Sequence, residues 1–160
     1  QNYGAGRLDR IKKGIRYGAT TGASYGVAMG IVLAVFGRYL SMAFITGNSA
    51  QNSQILDASA QLLLVAGIFF WLLGILNVVR LAVQALGYSN LAIISGVIEM
   101  IARSITSYFF VPIYGFSAIC FSDQSAWITA TTYSTLICIH VIKLIEKKLN
   151  NRKAAVPEAD

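Results

Sequence analysis

Two stretches of this sequence are too long and too apolar for an ordinary water-soluble domain. Residues 17–37 and 58–79 contain no charged side chain, and each run exceeds the ~20 residues that an α-helix needs to cross a bilayer. The composition agrees, because 56% of the residues are hydrophobic and 12% are charged, against about 25% charged residues in an average soluble domain. We therefore predict an integral membrane protein that is embedded in a lipid bilayer.

Two further apolar stretches complete the pattern. Residues 124–142 contain no charged side chain, and a run from about 90 to 114 is interrupted only by Glu99 and Arg103. We predict an all-α fold with four transmembrane helices at about 13–45, 54–86, 90–113 and 115–147. Residues 1–12 are expected to form a cytoplasmic loop, and residues 148–160 a cytoplasmic tail that is disordered from residue 150 onward.

The basic residues predict how these helices are oriented. Lys and Arg near the ends of spans are retained on the cytoplasmic side, and here they flank the first and the last predicted helix. We therefore expect a multi-pass protein of the plasma membrane with both ends in the cytoplasm. The formal charge of +6 is explained by this anchoring, so nucleic acid is not an expected partner. The flanking residues are Arg7, Arg10, Lys12, Lys13, Arg16, Lys143, Lys147, Lys148, Arg152 and Lys153.

The first predicted helix has a glycine at every fourth position. Such a stripe lets a neighbouring helix approach closely and gain dispersion contacts, which replace the hydrophobic effect that lipid does not provide. Static packing and sliding during a conformational cycle are both compatible with it. The glycines are Gly14, Gly18, Gly22, Gly26 and Gly30.

Charged residues inside the spans are expected to pair, because an unpaired charge at membrane depth costs about 3 kcal/mol or more. Arg80 lies nine residues before Ser89 (89 − 80) and Glu99 ten residues after it (99 − 89), which places both about 15 Å from that turn. The same count around the next turn matches Arg103 with Asp123. We predict that Arg80, Glu99, Arg103 and Asp123 form one polar network across three helices.

Two interpretations of this network stay open. It is either a structural clamp, or it places Glu99 or Asp123 at a water-filled pathway where the carboxylate exchanges a proton or a cation. Asn77, Gln61, Gln84 and Trp71 are candidate cavity-lining residues, and aromatic rings could face lipophilic cations. Two further charged residues, Arg38 and Asp57, match less well in depth, and Asp57 is expected at the outer start of the second helix.

Residues for enzymatic or metal chemistry are not found. There is no Ser with a His and an acid at suitable spacing, no nucleotide fingerprint and no metal-ligand cluster. His140 stands alone and is expected at the membrane interface. Cys120 and Cys138 lie eighteen residues apart (138 − 120) on one predicted helix, roughly 27 Å, which is too far for a disulfide. We expect no enzyme activity, no cofactor and no bound metal.

Several short motifs resemble those of one transporter family. Gln1, Asn2, Gly4, Ala5, Gly6 and Arg10 resemble the Q-N-x-G-A-G-x-x-x-R loop that MATE transporters (multidrug and toxic compound extrusion) carry in their C-terminal lobe. The stretch 77–87 resembles the family's N-x-x-R…Q-x-x-G helix end, and Glu99 with Arg103 resembles its E-x-x-x-R helix. Residues 114–127 are similar to the start of its final helix.

The resemblance implies a function and an architecture. MATE transporters have twelve helices in two six-helix lobes and export small lipophilic cations in exchange for Na⁺ or H⁺ by alternating access. The four predicted helices would be the last four, and eight helices of the same transporter would be missing. A chain that begins with Gln is expected to be such a fragment, and the coupling ion is expected to bind mainly elsewhere in the full-length protein.

Two alternatives remain. The first is a flippase of the same superfamily for lipid-linked precursors, whose cavity would need more positive charge for diphosphate groups. The second is a non-transporting four-helix membrane scaffold or subunit. The glycine stripe on the first helix is expected to await partner helices, and this argues against a scaffold.

Overall fold

The chain folds into long antiparallel helices, and its computed structural model describes residues 1–45 and 50–155. Helix α1 covers Leu8–Met42, α2 covers Ala50–Ala85, α3 covers Ser89–Ile105 and α5 covers Phe116–Ala155. A π-helical turn at Thr106–Phe110 and the short α4, Val111–Tyr114, extend α3. Four helices are long and apolar enough to cross a membrane, namely Leu8–Met42, Asn52–Ala85, Ser89–Tyr114 and Phe116–Asn151. The all-α fold is therefore confirmed.

The helix ends differ from the predicted ones by a few residues. Helix α1 begins at Leu8, so only the first part of the predicted loop 1–12 is non-helical. Helix α5 continues to Ala155, so the expected disorder from residue 150 is wrong as far as residue 155. Basic residues such as Lys147 are compatible with a helical extension into water, since Lys is a good helix former. The predicted tail beyond residue 155 and the outer loop around Asn48 lie outside the described residues.

Two tight turns set the alternating helix directions. Gly87 and Gly115 have φ values of +90° and +59°, a backbone region that glycine adopts without steric cost. At one end of the bundle, Lys12 Nζ lies 3.2 Å from Glu146 Oε1, and Lys148 Nζ lies 3.3 Å from the Tyr88 hydroxyl. The start of α1, the α2–α3 turn and the last turns of α5 therefore share one side, and we call this side the inner end.

Helix α2 is the centre of the packing, because it contacts α1, α3 and α5. Leu76 of α2 packs against Trp127 and Ala130 of α5, and Cys138 of α5 joins residues of both α2 and α3. Large apolar side chains elsewhere, such as Ile68 and Leu136, are exposed. Soluble monomers rarely expose large contiguous apolar patches, whereas lipid covers such surfaces. The outer surface thus supports the membrane assignment independently of helix length.

Glycines of α1 pack against the backbone of α2. A Cβ atom added at Gly22 would lie 2.8 Å from the carbonyl oxygen of Gly74, and one added at Gly67 would lie 2.6 Å from the carbonyl oxygen of Gly30. Gly26 is equally tight, because its Cβ would lie 2.6 Å from the Cα of Trp71. The backbones touch here in a way that any larger residue would prevent.

This contact corrects two expectations. The partner of the glycine stripe is α2 of the same chain, so the stripe no longer argues against a scaffold. Gly14 does not belong to the packed surface, since a Cβ atom there would meet nothing within 4 Å. Gly18 is intermediate, with Val78 Cγ1 at 3.0 Å from its added Cβ. The physical reason is that α1 extends beyond the part of α2 that approaches it closely.

The glycine contact predicts opposite effects for one substitution at two sites of α1. Gly26→Ala should lower the unfolding free energy by about 1–3 kcal/mol, because the two backbones must move apart. Gly14→Ala should be neutral or stabilise by up to ~1 kcal/mol, since alanine is the better helix former. Unfolding of the detergent-solubilised full-length protein would measure both. Equal effects at the two positions would contradict the packing described here.

Candidate functional site

Arg80 of α2 and Glu99 of α3 form an ion pair inside the helix bundle. Arg80 Nη2 contacts Glu99 Oε1, and Arg80 Nε donates a hydrogen bond to Ser95 Oγ at 2.7 Å. The Arg80 and Glu99 side chains are 23% and 14% exposed, and Ser95 is fully buried. The tight turn at Gly87 brings the two helices together at equal depth. This half of the network is largely, although not fully, buried.

Arg103 and Asp123 extend this pair toward α5. Arg103 Nη2 lies 3.6 Å from Glu99 Oε2, and Arg103 Nε donates to Asp123 Oδ1 at 2.8 Å. Here the Arg103 and Asp123 side chains are 44% and 60% exposed. The structure therefore brings the four predicted residues into one chain of alternating charges. Its two ends differ sharply in burial.

The alternation of charges neutralises the network within the chain. Two arginines face two carboxylates, and each carboxylate contacts at least one guanidinium. Removing one partner of a buried pair leaves an uncompensated charge, which costs far more than the pair itself contributes. The network therefore fixes α2, α3 and α5 relative to one another as long as every member is present.

A further ion pair corrects the expectation for Arg38 and Asp57. Arg38 Nη1 lies 2.5 Å from Asp57 Oδ1, and both side chains are about half exposed or more. The two residues meet because α2 begins at Ala50 and runs antiparallel along α1. Counting residues from the turn did not predict this pair, because the predicted break between the two helices was long and the position of the turn within it was not known.

The candidate cavity-lining residues do not share one surface. Asn77 and Gln84 are exposed and lie seven residues apart on one face of α2, and Asn77 Nδ2 donates to the Leu73 carbonyl at 3.0 Å. Gln61 is also exposed but lies about 160° around the helix from Asn77. Trp71 is 39% exposed. Their joint role in lining a cavity stays a prediction.

The Q-N-x-G-A-G motif forms a compact turn at the inner end. The Ala5 N–H donates to the Gln1 carbonyl at 3.0 Å, and the Arg7 N–H donates to the Asn2 carbonyl at 2.9 Å. Gly6 has a φ of +66°, which closes the turn. Tyr3 packs against the cluster that joins α1, α2 and α5. Gly4 and Arg10, the remaining motif positions, are exposed; the motif thus connects three helix ends.

The π-helical turn was not predicted. Val111 N–H donates to the Thr106 carbonyl, five residues back, and Pro112 has no N–H for the carbonyl of Tyr108. Thr106 Oγ1 lies 2.9 Å from Ser125 Oγ of α5. An apolar cavity of about 390 Å³ opens beside this turn. Pro112 was the only sequence signal for the interruption.

Two buried polar groups of α5 were also missed. Gln124 Oε1 and Ser134 Oγ have no hydrogen-bond partner among the residues that the structure describes. Both cysteines are free and buried. Within the described part of the chain, no group of three or more His, Cys, Asp or Glu residues is placed to hold a metal ion.

The Arg80–Glu99 pair is more buried than the Arg38–Asp57 pair. Replacing the arginine by alanine should therefore cost more stability in the first pair than in the second. Arg80→Ala should lower the unfolding free energy by about 3–5 kcal/mol, because Glu99 loses its closest buried partner. Arg38→Ala should change it by about 1 kcal/mol or less, as for other exposed pairs. Unfolding of the full-length protein in mixed detergent would measure the difference. A comparable loss for Arg38→Ala would be inconsistent with these geometries.

Comparison with known proteins gives one match. The model of the MatE family matches residues 1–109, more than half of the chain. This range includes Arg80, Glu99 and Arg103 but ends before Asp123. No curated protein and no solved structure shows a significant match to the chain. The chain therefore belongs to the MatE family, whose members are membrane transporters, in agreement with its four helices that are long and apolar enough to cross a membrane.

Proposed function

We propose that the chain is part of a secondary active exporter that exchanges small lipophilic cations, including multidrug substrates, for Na⁺ or H⁺. The observation that carries this proposal is the ion network inside the helix bundle. It joins α2, α3 and α5, while glycine contacts join α1 to α2. All four spanning helices are thereby held together. Alternating access proceeds largely by rocking of such rigid helix groups against each other.

In this proposal the four helices form part of one six-helix lobe of a twelve-helix transporter. The remaining eight helices are the partners of this segment, and the substrate binds between the two lobes. The coupling ion binds mainly in the rest of the protein. Both ends of the described segment lie on one side, and the flanking basic residues favour the cytoplasmic side of the plasma membrane.

A flippase for lipid-linked precursors is supported less well. Such a protein needs arginines that are free to bind diphosphate groups. In the described network Arg80 pairs with Glu99, and Arg103 pairs with Glu99 and Asp123. A static scaffold is disfavoured because the members of the MatE family are membrane transporters.

The proposal predicts export that depends on an ion gradient. Proteoliposomes with the full-length protein should move ethidium when a Na⁺ or H⁺ gradient is applied, and the flux should stop when the gradient is collapsed. The flux is measured by ethidium fluorescence, with Arg38→Ala as a variant that should retain transport. Ethidium movement that ignores both gradients, or movement of lipid-linked precursors in its place, would contradict the proposal.

A further inference from the structure

Two basic residues lie opposite each other at the inner end, on either side of the groove between α1 and α5. The contact of Lys12 with Glu146, at 3.2 Å, fixes the register of these antiparallel helices. Arg16 lies four residues after Lys12 (16 − 12), one turn further into the membrane on the same face of α1. Lys143 lies three residues before Glu146 (146 − 143), again one turn further in. Arg16 and Lys143 therefore share nearly the same depth.

This depth is the boundary of the apolar spans. The uncharged run of α1 begins at residue 17, and the uncharged run of α5 ends at residue 142. Arg16 and Lys143 are thus the first charges beyond the two runs. Long basic side chains at such a boundary place their charged ends at the level of the lipid headgroups.

Neither basic side chain is neutralised within the described chain. Among the residues that the structure describes, the side chains of Arg16 and Lys143 form no ion pair and no hydrogen bond. Glu146, the acid beside them in the groove, is already bound to Lys12. Two cations at one depth repel each other unless an anion lies between them. This requirement does not depend on exposure, since a helix that covered the groove would itself have to bring the anion.

An apolar cavity continues from this pair toward the centre of the membrane. It measures about 310 Å³ and lies between α2 and α5. Its member Ile128 precedes Glu146 by eighteen residues (146 − 128), which is five full turns, so the cavity opens on the same face of α5. Leu136 lies seven residues from Lys143, about 10 Å, and one leaflet provides about 15 Å of hydrocarbon. The cavity is lined by Leu72, Ile128, Thr131, Thr132, Thr135 and Leu136.

We infer that the α1–α5 groove binds one anionic phospholipid, with its phosphate between Arg16 and Lys143 and one acyl chain in the cavity beside Leu72. The phosphate supplies the negative charge that both residues lack, and a guanidinium binds it through charge-assisted hydrogen bonds. The acyl chain covers the cavity. A free phosphate ion would leave the cavity uncovered. The lipid is a structural partner, and its binding does not require the proposed transport function.

Native mass spectrometry of the full-length protein tests the headgroup. Micelles that contain equal amounts of phosphatidylglycerol and phosphatidylcholine, with matched acyl chains, should leave phosphatidylglycerol on the protein. The combined variant Arg16→Gln/Lys143→Gln should retain one phosphatidylglycerol fewer. Each single variant should weaken binding of that lipid about fivefold, the typical effect of one basic residue near an anionic membrane surface. Arg16→Lys and Lys143→Arg keep the charge and should keep the lipid.

Arg10→Gln is the matched control for the loss of one positive charge at the inner end. Arg10 lies about 160° around α1 from Lys12, beside Ala82 and Ala85 of α2. This variant should retain the same number of phosphatidylglycerol molecules as the unmodified protein.

Photo-crosslinking tests the position of the acyl chain. Benzoylphenylalanine in place of Ile139, one turn from Lys143, should form an adduct with the lipid, and Arg16→Gln/Lys143→Gln should abolish that adduct. Val97 of α3 is the control position. It lies nine residues from Tyr88 (97 − 88), as Ile139 does from Lys148 (148 − 139), and these two inner residues are in contact. Both native side chains are about half exposed, and a lipid adduct at position 97 should not depend on the two basic residues.

Several outcomes would overturn the inference. They are equal retention of phosphatidylcholine, an unchanged lipid count in the combined variant, and an equal loss in Arg10→Gln. A crosslink from position 139 to protein in place of lipid would show that another helix covers the groove, and would overturn it too. Lipid retention without ethidium transport would contradict only the proposed function.

Discussion

Opposite charges inside a membrane must pair, and this requirement determines how the helices of the chain pack. Arg80 and Glu99 lie on different helices and are both largely buried. Neither can face hydrocarbon alone, because the cost of an unpaired charge there is several times the thermal energy. The pair therefore determines which faces of α2 and α3 meet. Arg103 in turn pairs with Asp123 of α5, so ion pairs hold three of the four spans together.

Close backbone contact attaches α1, the helix that the charge network does not include, to α2. Helix α1 has no member in the Arg80–Asp123 network, and it packs against α2 through glycines on both helices. In lipid there is no hydrophobic drive between two apolar helices, so close packing and its dispersion energy must provide the attraction. The Arg38–Asp57 pair adds a polar contact to the same two helices. The result is a four-helix unit with two different kinds of internal contact.

The sequence predicted those features that depend on helix length and on tight turns. Arg80 and Glu99 meet, as counting from the turn predicted, because a short turn at Gly87 separates the helices and leaves little freedom of register. The Arg38–Asp57 pair was missed because its connecting segment is longer, so no register followed from counting. Gly67 and Gly74 were not identified as partners, since two isolated glycines form no periodic pattern.

The difference between a buried Glu99 and an exposed Asp123 was likewise not predictable. It depends on how α3 and α5 lie against each other, and on a helix interruption at Thr106–Phe110 that only Pro112 suggested. Composition and periodicity predict which residues form a spanning helix and roughly how far along that helix each residue lies. They do not give the direction in which neighbouring helices diverge. The difference in burial between the two halves of the network therefore emerged only from the three-dimensional arrangement.

A double-mutant cycle between Arg80 and Glu99 tests the central claim most directly. Arg80→Met, Glu99→Gln and the combined variant would be compared with the unmodified full-length protein by unfolding in sodium dodecyl sulfate. We predict that the combined variant loses at least ~1 kcal/mol less stability than the sum of the two single variants, because it leaves no buried charge unpaired. Strictly additive losses would show that the two residues do not depend on each other, and would contradict this account of the fold.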